Sequence, residues 1–372
     1  MKNAAGALGA VAAAPMINRG RFRLFAQEET TYSGRTIELV GRTTVIDMLG
    51  LVTLDFPKLY AWQLAPETFQ PPDFEKLQNS GITIFHPAVG HDEGDIYSAS
   101  LLDMRRWNNL IAKQSRYFLR IDRAGDFAVP KRQNKIGILL GEQNSEHFRS
   151  VDDVNRFFAL GQRVSQLAYR TNRIGAGAFD PRDPGLSEFG RRIIERMNEV
   201  GMAIDVSHCG DRTTLDAFEA SRKPVLVTHS NCRALVPNRC RCKTDEAIQK
   251  MAAKGGVMGI TMIRSFVRNG GPATMDAVLD HIEWVVRLAG VEHVGVGSDV
   301  DLDGRSRLPP EIQRAQGIRP GEKIDLDGID YEKKIFDLTE GLVRRGYTDR
   351  QIELILGGNF QRALSEIWTI HT

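Results

Sequence analysis

The strongest constraint on the fold is a series of short apolar segments rich in β-branched residues, each followed by a longer amphipathic or polar stretch. Eight such segments recur, at residues 44–51, 81–88, 135–143, 164–170, 201–208, 224–230, 256–263 and 293–301. They lack strict alternation of apolar and polar residues, which is typical of parallel strands buried on both faces. Their starts are about 36 residues apart on average, close to the roughly 30 residues of one strand–helix unit.

Amphipathic stretches between the apolar segments predict helices at residues 97–117, 151–159, 186–200, 213–220, 244–253 and 274–289. In the third of these, Ser187 is placed to cap the helix start and Gly201 to end the helix. Eight strand–helix units predict a (β/α)8 TIM barrel as a single domain over residues 31–372. A doubly wound open sheet is the alternative, but no G-x-G-x-x-G motif follows the first strand. We expect a C-terminal helical extension of two or three helices over residues 331–370, with a turn at residues 357–360.

The composition excludes several classes of protein. The 372 residues are 42% apolar and 26% charged, which is typical of a globular chain with a sizeable core. The net charge of +2 is far from the strongly basic balance of a nucleic-acid-binding protein. No run of about 18 apolar residues exists to span a bilayer. We therefore expect a small-molecule ligand and no integral membrane segment.

The first 30 residues form a separate segment in this interpretation. Residues 1–16 are rich in Ala and Gly, with one Lys near the start and A-x-A sites around residues 12–14. This composition resembles the end of an export signal and equally suits a poorly ordered N-terminal arm. A periplasmic or exported location is one expectation, and a cytoplasmic location is the alternative.

Polar side chains end five of the predicted strands, and in a barrel such ends converge on one mouth. The residues are Gln143, Tyr169, His208, His229 and Asp299. Two imidazoles and a carboxylate suit a catalytic zinc ion with open positions for water. A neighbouring carboxylate can also act as general base. The sequence therefore predicts His208, His229 and Asp299 as metal ligands, with Asp299 also in a catalytic role.

Several longer motifs resemble the membrane (renal) dipeptidase family of amidohydrolase-like zinc peptidases. They are GLSEFGRRIIERMNEVGMAIDVSH, KPVLVTHSNCRAL, RCKTDEAIQKMAAKGGVMGI, HVGVGSDVD and ILGGNF, in matching order between about residues 40 and 365. The resemblance implies a (β/α)8 barrel that hydrolyses dipeptides at a two-zinc centre, often as a homodimer.

The same resemblance implies roles for individual residues. His208 and His229 match the histidines of one zinc, and Asp299 matches the carboxylate that binds the other and serves as base. Arg241 matches the arginine that binds the substrate carboxylate. Tyr169 stands where many members have a histidine that polarises the scissile carbonyl, and a phenol can donate the same hydrogen bond.

Three positions on two strands depart from the family pattern. The family has D-G-H-x-D on its first strand, where this chain has Asp47-Met48-Leu49-Gly50-Leu51, so leucines replace both ligands of the first zinc. Gln143 occupies the position of the bridging glutamate, and Glu142, one residue away, points to the opposite face of a strand. We therefore expect a degenerate metal site that binds one zinc ion or none, with Asp299, Gln143 or Glu142 as the third ligand.

Three functions remain open on the sequence. The first is a dipeptidase-like, metal-dependent hydrolase of a dipeptide or other small amide with a free carboxylate, in which Arg241 and Gln143 contact the substrate. The second is a non-hydrolytic enzyme, such as a lyase or isomerase, that uses the same pocket. The third is a catalytically inactive homologue that binds a peptide-like ligand.

Overall fold

The computed structural model describes residues 20–22, 24, 31–88, 91, 93–315, 318–329 and 331–369, and an all-parallel sheet occupies its centre. The strands are β1 (Arg21–Phe22), β2 (Tyr32–Ser33), β3 (Ile46–Asp47), β4 (Ile84–Phe85), β5 (Phe118–Arg120), β6 (Ile136–Ile138), β7 (Gly141–Glu142), β8 (Val164–Gln166), β9 (Ala203–Asp205), β10 (Val225–Ser230), β11 (Met258–Ile260) and β12 (Val294–Val296). Strands β1 and β2 form a separate antiparallel pair.

The ten central strands lie in the order β5-β6-β4-β3-β12-β11-β10-β9-β8-β7. Strands β6 and β7 are two halves of one apolar segment, separated only by Leu139 and Leu140. The first half pairs with β4 and the second half pairs with β8. The sheet therefore curls into a ring that closes through residues 136–142, as in a TIM barrel.

Helices follow the strands along the chain. They are α1 (Gly34–Arg42), α2 (Phe56–Leu64), α3 (Pro71–Asn79), α4 (Ile96–Lys113), α5 (Val129–Gln133), α6 (Asp152–Ala159), α7 (Glu188–Val200), α8 (Asp211–Ala220), α9 (Asp245–Ala253), α10 (Arg264–Val267), α11 (Met275–Ala289), α12 (Pro310–Ala315), α13 (Lys334–Arg344), α14 (Asp349–Glu353) and α15 (Asn359–Trp368). A π-helical segment, Leu354–Gly358, joins α14 to α15.

The predicted barrel is confirmed, and each of the eight apolar segments contains a strand of the ring. Helix α7 begins and ends as predicted: the Ser187 side chain accepts from the Gly190 amide at 2.9 Å, and Gly201 ends the helix with φ 80°. Strand β5 was not predicted. The helix expected to reach residue 117 ends at Lys113.

The predicted turn at residues 357–360 is present as a kink at Gly357. Gly357 has non-helical backbone angles, φ 178° and ψ −25°, so the helical path is broken there before α15 begins at Asn359. Gly357 is needed here for space, because a Cβ atom on it would lie 2.2 Å from the carbonyl oxygen of Thr44. The glycine pair therefore marks both a close contact between backbones and a break in the helical path.

Helix α15 closes one end of the barrel. Its buried apolar residues Phe360, Ala363, Leu364 and Ile367 recur at helical spacing. They pack in one cluster with side chains of the ring strands, among them Ile46, Ile84, Val164 and Leu226. The contact with β12 is close, since a Cβ atom on Gly295 would lie 2.5 Å from the Phe360 ring. The C-terminal extension is thus part of the barrel core.

The expected N-terminal arm at residues 1–30 falls largely outside the described residues. Its described part includes Arg21–Phe22, which pairs with Tyr32–Ser33. Within the described part of the chain, every helix is too short or too polar to cross a membrane.

Candidate active site

Five of the predicted site residues line one cavity of about 440 Å³ beyond the ends of strands β7 to β12. They are Gln143, Tyr169, His208, Arg241 and Asp299. The sixth, His229, lies within β10 and is fully buried directly behind His208. A cavity of this size suits a small-molecule ligand. The fold therefore brings together the five side chains that the sequence placed at strand ends and Arg241, which the family resemblance added.

The two imidazoles face each other through their Nε2 atoms. These atoms are 3.0 Å apart, and the ring centres are 5.0 Å apart. The Tyr169 ring stacks on His208 with its centre 4.1 Å away and the two planes at 25°. This stacking restricts rotation of the His208 ring and keeps its Nε2 directed at His229.

A buried hydrogen-bond chain fixes the orientation of His229. Its Nδ1 lies 2.8 Å from the Thr228 hydroxyl oxygen, and that hydroxyl donates to Asp205 Oδ2 at 2.8 Å. The other carboxylate oxygen accepts from the Ser207 hydroxyl at 2.5 Å. Because the single Thr228 proton goes to Asp205, the His229 Nδ1 carries the proton of its own hydrogen bond. The Nε2 of His229 is left with a lone pair, as in histidines that bind metals.

Both imidazoles are neutral at physiological pH. Burial lowers the pKa of His208 and of His229 well below the usual histidine value, and the nearby Arg241 guanidinium lowers both further. In the facing pair, His208 therefore donates its Nε2 proton to the lone pair of His229. The site offers neutral nitrogen ligands and no imidazolium cation.

Asp299 is held in an uncommon backbone conformation at the end of the segment that contains β12. Its φ is 57°, in the left-handed region, which costs a residue with a Cβ atom on the order of 1 kcal/mol. Its amide donates to the Leu49 carbonyl oxygen at 3.0 Å. The preceding Ser298 is fixed by the buried Asp47, which accepts from its amide at 2.8 Å and its hydroxyl at 2.5 Å. These contacts direct the carboxylate into the cavity.

Burial raises the pKa of Asp299 to about 6, although Arg305 and Arg241 nearby favour the charged form. The carboxylate is therefore mostly deprotonated at neutral pH but much closer to its titration point than an ordinary aspartate. A group with this pKa suits general base chemistry near neutrality.

Arg241 is almost completely buried, with 1% of its surface exposed. Its guanidinium donates to the carbonyl oxygens of Ser207 and His229 and to the Ser230 hydroxyl. Only its Nε, which is buried, lacks a hydrogen-bond partner among the described residues. The guanidinium therefore ties the backbone of the two histidine-bearing segments together from the wall of the cavity.

Gln143 and Glu142 point in different directions. Gln143 lines the cavity, and its Nε2 donates to the Ala88 carbonyl oxygen at 2.8 Å. Glu142 lies in a separate small space beside Gln63 and Asp103, where burial raises its pKa well above the usual value. The one-residue offset thus keeps the nearby carboxylate out of the site, as the alternation of side chains in a strand requires.

An apolar cluster occupies the part of the mouth next to the end of β3. Its buried members are Leu49, Leu51, Leu54, Ala88 and Leu308, with Phe56 and Ile312 packed against them. None of these side chains has a donor atom for a metal ion. This part of the mouth therefore offers packing surface and no metal ligand.

A single ion fits the site in part. The Nε2 atoms of His208 and His229 converge on the same space, which suits two ligands of one ion. The described residues contain no group of three His, Cys, Asp or Glu side chains close enough to hold a metal. In this arrangement Asp299 lines the same cavity without completing a three-ligand set.

Sequence reasoning missed three residues of the site. Asp205 and Thr228 each stand within three residues of a predicted histidine, in D-V-S-H and T-H-S, so the motifs contained a signal for them. Arg305 also lines the cavity. It belongs to a loop without periodicity, and nothing in the sequence distinguished it from the neighbouring Arg307.

Solved structures define the class of protein. The chain aligns with a crystal structure of an amidohydrolase from Pseudomonas aeruginosa with a TM-score of 0.77 and 29% identity, covering 90% of this chain and 99% of that one. It also shares its fold with the probable dipeptidase PvdM of the same organism, with a TM-score of 0.73, 20% identity, and coverage of 90% and 98%. The molecule is an α/β barrel of the amidohydrolase type.

The family follows from the sequence match. The model of the membrane dipeptidase family, peptidase family M19, matches residues 73–372, and the chain belongs to this family. An uncharacterised dipeptidase of Schizosaccharomyces pombe is 31% identical over 263 residues, which is 68% of this chain and 58% of the relative. The chain spans little more than half the length of the curated relatives it matches.

Proposed function

We propose that the protein hydrolyses a dipeptide or a similar small amide with a free carboxylate, using at most one metal ion. The observation that carries this proposal is a cavity lined by His208, Tyr169 and the carboxylate of raised pKa of Asp299, with the neutral imidazole of His229 facing His208 from behind. Membership of the membrane dipeptidase family and relatives named as dipeptidases support the same reaction class.

The residues of the chain have distinct roles in the proposed reaction. Asp299, mostly deprotonated at neutral pH, accepts a proton from the attacking water and later transfers it to the leaving amine. Tyr169 donates a hydrogen bond to the oxygen of the scissile carbonyl, where negative charge develops. Arg241 keeps the two histidine-bearing segments in register and adds positive charge to the cavity wall.

His208 and His229 are the residues that would hold a metal ion. When bound, the ion supplies Lewis acidity toward a carbonyl oxygen or a water molecule. The Asp205–Thr228–His229 chain leaves the Nε2 lone pair of His229 available for this role. The neutral His208 ring would offer its Nε2 lone pair once its proton moved to Nδ1. The apolar cluster at Leu49 and Leu51 limits the proposal to one ion.

A ligand-binding homologue without catalysis is the second candidate. The same apolar cluster favours it, because two of its members, Leu49 and Leu51, stand at positions that bind the first metal in the family pattern. The absence of a third grouped ligand among the described residues favours it as well. The two candidates differ in turnover and share the cavity.

The test measures metal content and turnover in the same preparations. Protein purified without chelator or added metal is assayed for zinc by mass spectrometry and for hydrolysis of a panel of dipeptides and N-acyl amino acids. We compare the unmodified protein with His208→Ala and Asp299→Asn. His293→Ala is the control, because this histidine bonds to the Gly256 carbonyl outside the cavity.

Hydrolysis is expected, with up to one zinc per chain. Asp299→Asn should lower kcat/KM by about 10²-fold or more, and His208→Ala should lower both zinc content and turnover. The control should change neither. Full turnover of metal-free protein would disprove metal dependence. Absence of turnover over the whole panel would contradict the proposed hydrolysis, and binding of panel members without turnover would support the ligand-binding alternative instead.

A further inference from the structure

The mouth cavity has two chemically different sides. Leu51, Leu54, Phe56 and Ala88 line one side, and Ile263, Phe266 and Ile324 add further apolar surface. The ionisable side chains of the other side include two cations, Arg241 and Arg305, and one carboxylate, Asp299. The cavity thus combines apolar walls with an excess of positive charge. A ligand that matches both has an apolar group and a negative group.

Arg305 is the cation of this cavity with donors to spare. It is half-buried, its Nε is buried without a hydrogen-bond partner, and its guanidinium forms no ion pair with another described residue. Its own amide donates to the Asp325 carboxylate at 3.2 Å, which anchors the backbone of this loop. Arg241, by contrast, already donates to two carbonyl oxygens and a hydroxyl. An incoming anion therefore finds its hydrogen-bond donors at Arg305.

The apolar side of the cavity is formed mainly by residues that follow β3 along the chain. Leu49 and Leu51 are 0% and 6% exposed and pack with Leu54 and Ala88. Among these, Leu51, Leu54 and Ala88 also line the cavity, so the cluster has a surface open to a ligand. Covering this surface with an apolar group removes it from water, which is favourable in proportion to the area covered.

We propose that the cavity binds a small organic carboxylate with an apolar chain, whose carboxylate meets Arg305 and whose chain covers Leu51, Leu54, Phe56 and Ala88. The inference rests on the proposed function and narrows it, since the substrate is then an amide that combines a free carboxylate with an apolar side chain. Arg305 acts as a binding residue that determines specificity.

Probes without an amide bond test this inference independently of hydrolysis. Hexanoate carries both features, acetate lacks the chain, and hexan-1-ol lacks the charge. Binding of each is measured by NMR titration to the full chain and to the Arg305→Gln, Arg305→Lys and Leu51→Asn variants. Arg307→Gln is the matched control, because Arg307 is exposed, two residues away and outside the cavity lining. Urea unfolding confirms that each variant is folded.

Hexanoate is expected to bind at least tenfold more tightly than acetate or hexan-1-ol. Arg305→Gln should weaken hexanoate about tenfold and leave hexan-1-ol unchanged, while Arg305→Lys should retain part of the affinity. Leu51→Asn should weaken hexanoate and leave acetate unchanged.

Equal binding of hexanoate and hexan-1-ol, equal binding of hexanoate and acetate, or equal effects of Arg305→Gln and Arg307→Gln would each overturn the inference. So would failure of hexanoate to bind the unmodified protein. None of these results depends on turnover. Hydrolysis without selective hexanoate binding refutes only this inference, and selective binding without hydrolysis refutes only the proposed reaction.

Discussion

The position of the proton on an imidazole ring determines which of its nitrogens can bind a metal ion. The Thr228 hydroxyl accepts the Nδ1 proton of His229 and so selects this tautomer. The Thr228→Val variant lacks the hydroxyl, so its His229 ring can take the other tautomer. The affinity for zinc should then fall by about 10- to 100-fold. Long-range ¹H–¹⁵N NMR of the metal-free protein, with His229→Gln to assign the signals, reports the protonated nitrogen directly.

Thr228→Ser is the matched control for this prediction. It keeps the hydroxyl next to Asp205 and should retain both the tautomer and the zinc affinity. A spectrum of the unmodified protein with the His229 proton on Nε2 would contradict the proposed hydrogen-bond chain.

Asp299 makes stability depend on pH. Its pKa rises to about 6 in the folded state from the ordinary value near 4. The folded state therefore binds this proton more tightly than the unfolded state does. Protonation of Asp299 stabilises the fold fully below about pH 4, and this stabilisation is lost as the pH rises through about 6. Asp299→Asn removes this loss. At pH 8 the variant should be more stable by on the order of 1–2 kcal/mol, with a smaller difference at pH 4.

Urea unfolding of both proteins at pH 4 and pH 8 measures the effect, with Glu75→Gln on the exposed side of α3 as control. An asparagine also tolerates a positive φ, which adds a gain that does not vary with pH. A difference between variant and unmodified protein that stays constant from pH 4 to pH 8 would show that the carboxyl group titrates normally.

At this scale the sequence predicted which side chains meet but not how they are held. Gln143, Tyr169, His208, His229 and Asp299 follow apolar strands, and parallel strands in a barrel end at one mouth. The contacts of Arg241 depend on where a loop returns to the barrel, which no periodicity encodes. The place of Arg305 in the cavity could not be predicted either, because it also depends on the path of a loop.

Among the elements, β10 and β12 approach each other so closely that glycine is required beside the site. A Cβ atom on Gly297 would lie 1.9 Å from the Thr228 carbonyl oxygen. Gly297→Ala must therefore shift the backbone that carries His229. We expect a loss of about 1–3 kcal/mol of stability or more, measured by urea unfolding.

Gly41→Ala in α1 is the control, because nothing lies within 4 Å of the added Cβ atom. Alanine there should raise stability by roughly 0.5–1 kcal/mol, since glycine is a poor helix former. Equal effects of the two substitutions would show that the strands adjust to a methyl group beside the site.

Element prediction succeeded where periodicity was strong and failed where packing decides. The long amphipathic helices α7 and α11 lie within two residues of their predicted bounds, because caps and apolar spacing are local signals. The ring strands are only two to six residues long, within longer apolar segments. Their pairing partners, and the extra strand β5, depend on contacts that are remote in sequence.

For the whole molecule, α15 is the element on which the core depends. The Phe360 ring is completely buried against the ring strands, so Phe360→Ala should cost about 3–5 kcal/mol of unfolding free energy. Glu366→Ala on the exposed face of the same helix should change stability by less than about 0.5 kcal/mol. Urea unfolding compares the two, and a small effect of Phe360→Ala would show that α15 is only loosely attached.

The barrel as a whole could be predicted from the even spacing of eight apolar segments. The role of α15 could not, because an amphipathic pattern gives the width of an apolar face and leaves open which surface it covers. Ring closure between residues 136–138 and 141–142 was likewise hidden inside a single apolar segment.

The position of α15 along the chain has a consequence during synthesis. Every strand of the ring is translated before α15, which covers one end of the barrel. The apolar residues at that end are therefore exposed while the nascent chain is still on the ribosome. Partly made molecules that expose this surface are expected to be prone to aggregation until α15 emerges. A chain truncated before residue 359 is therefore expected to aggregate, although every residue that lines the mouth cavity is present in it.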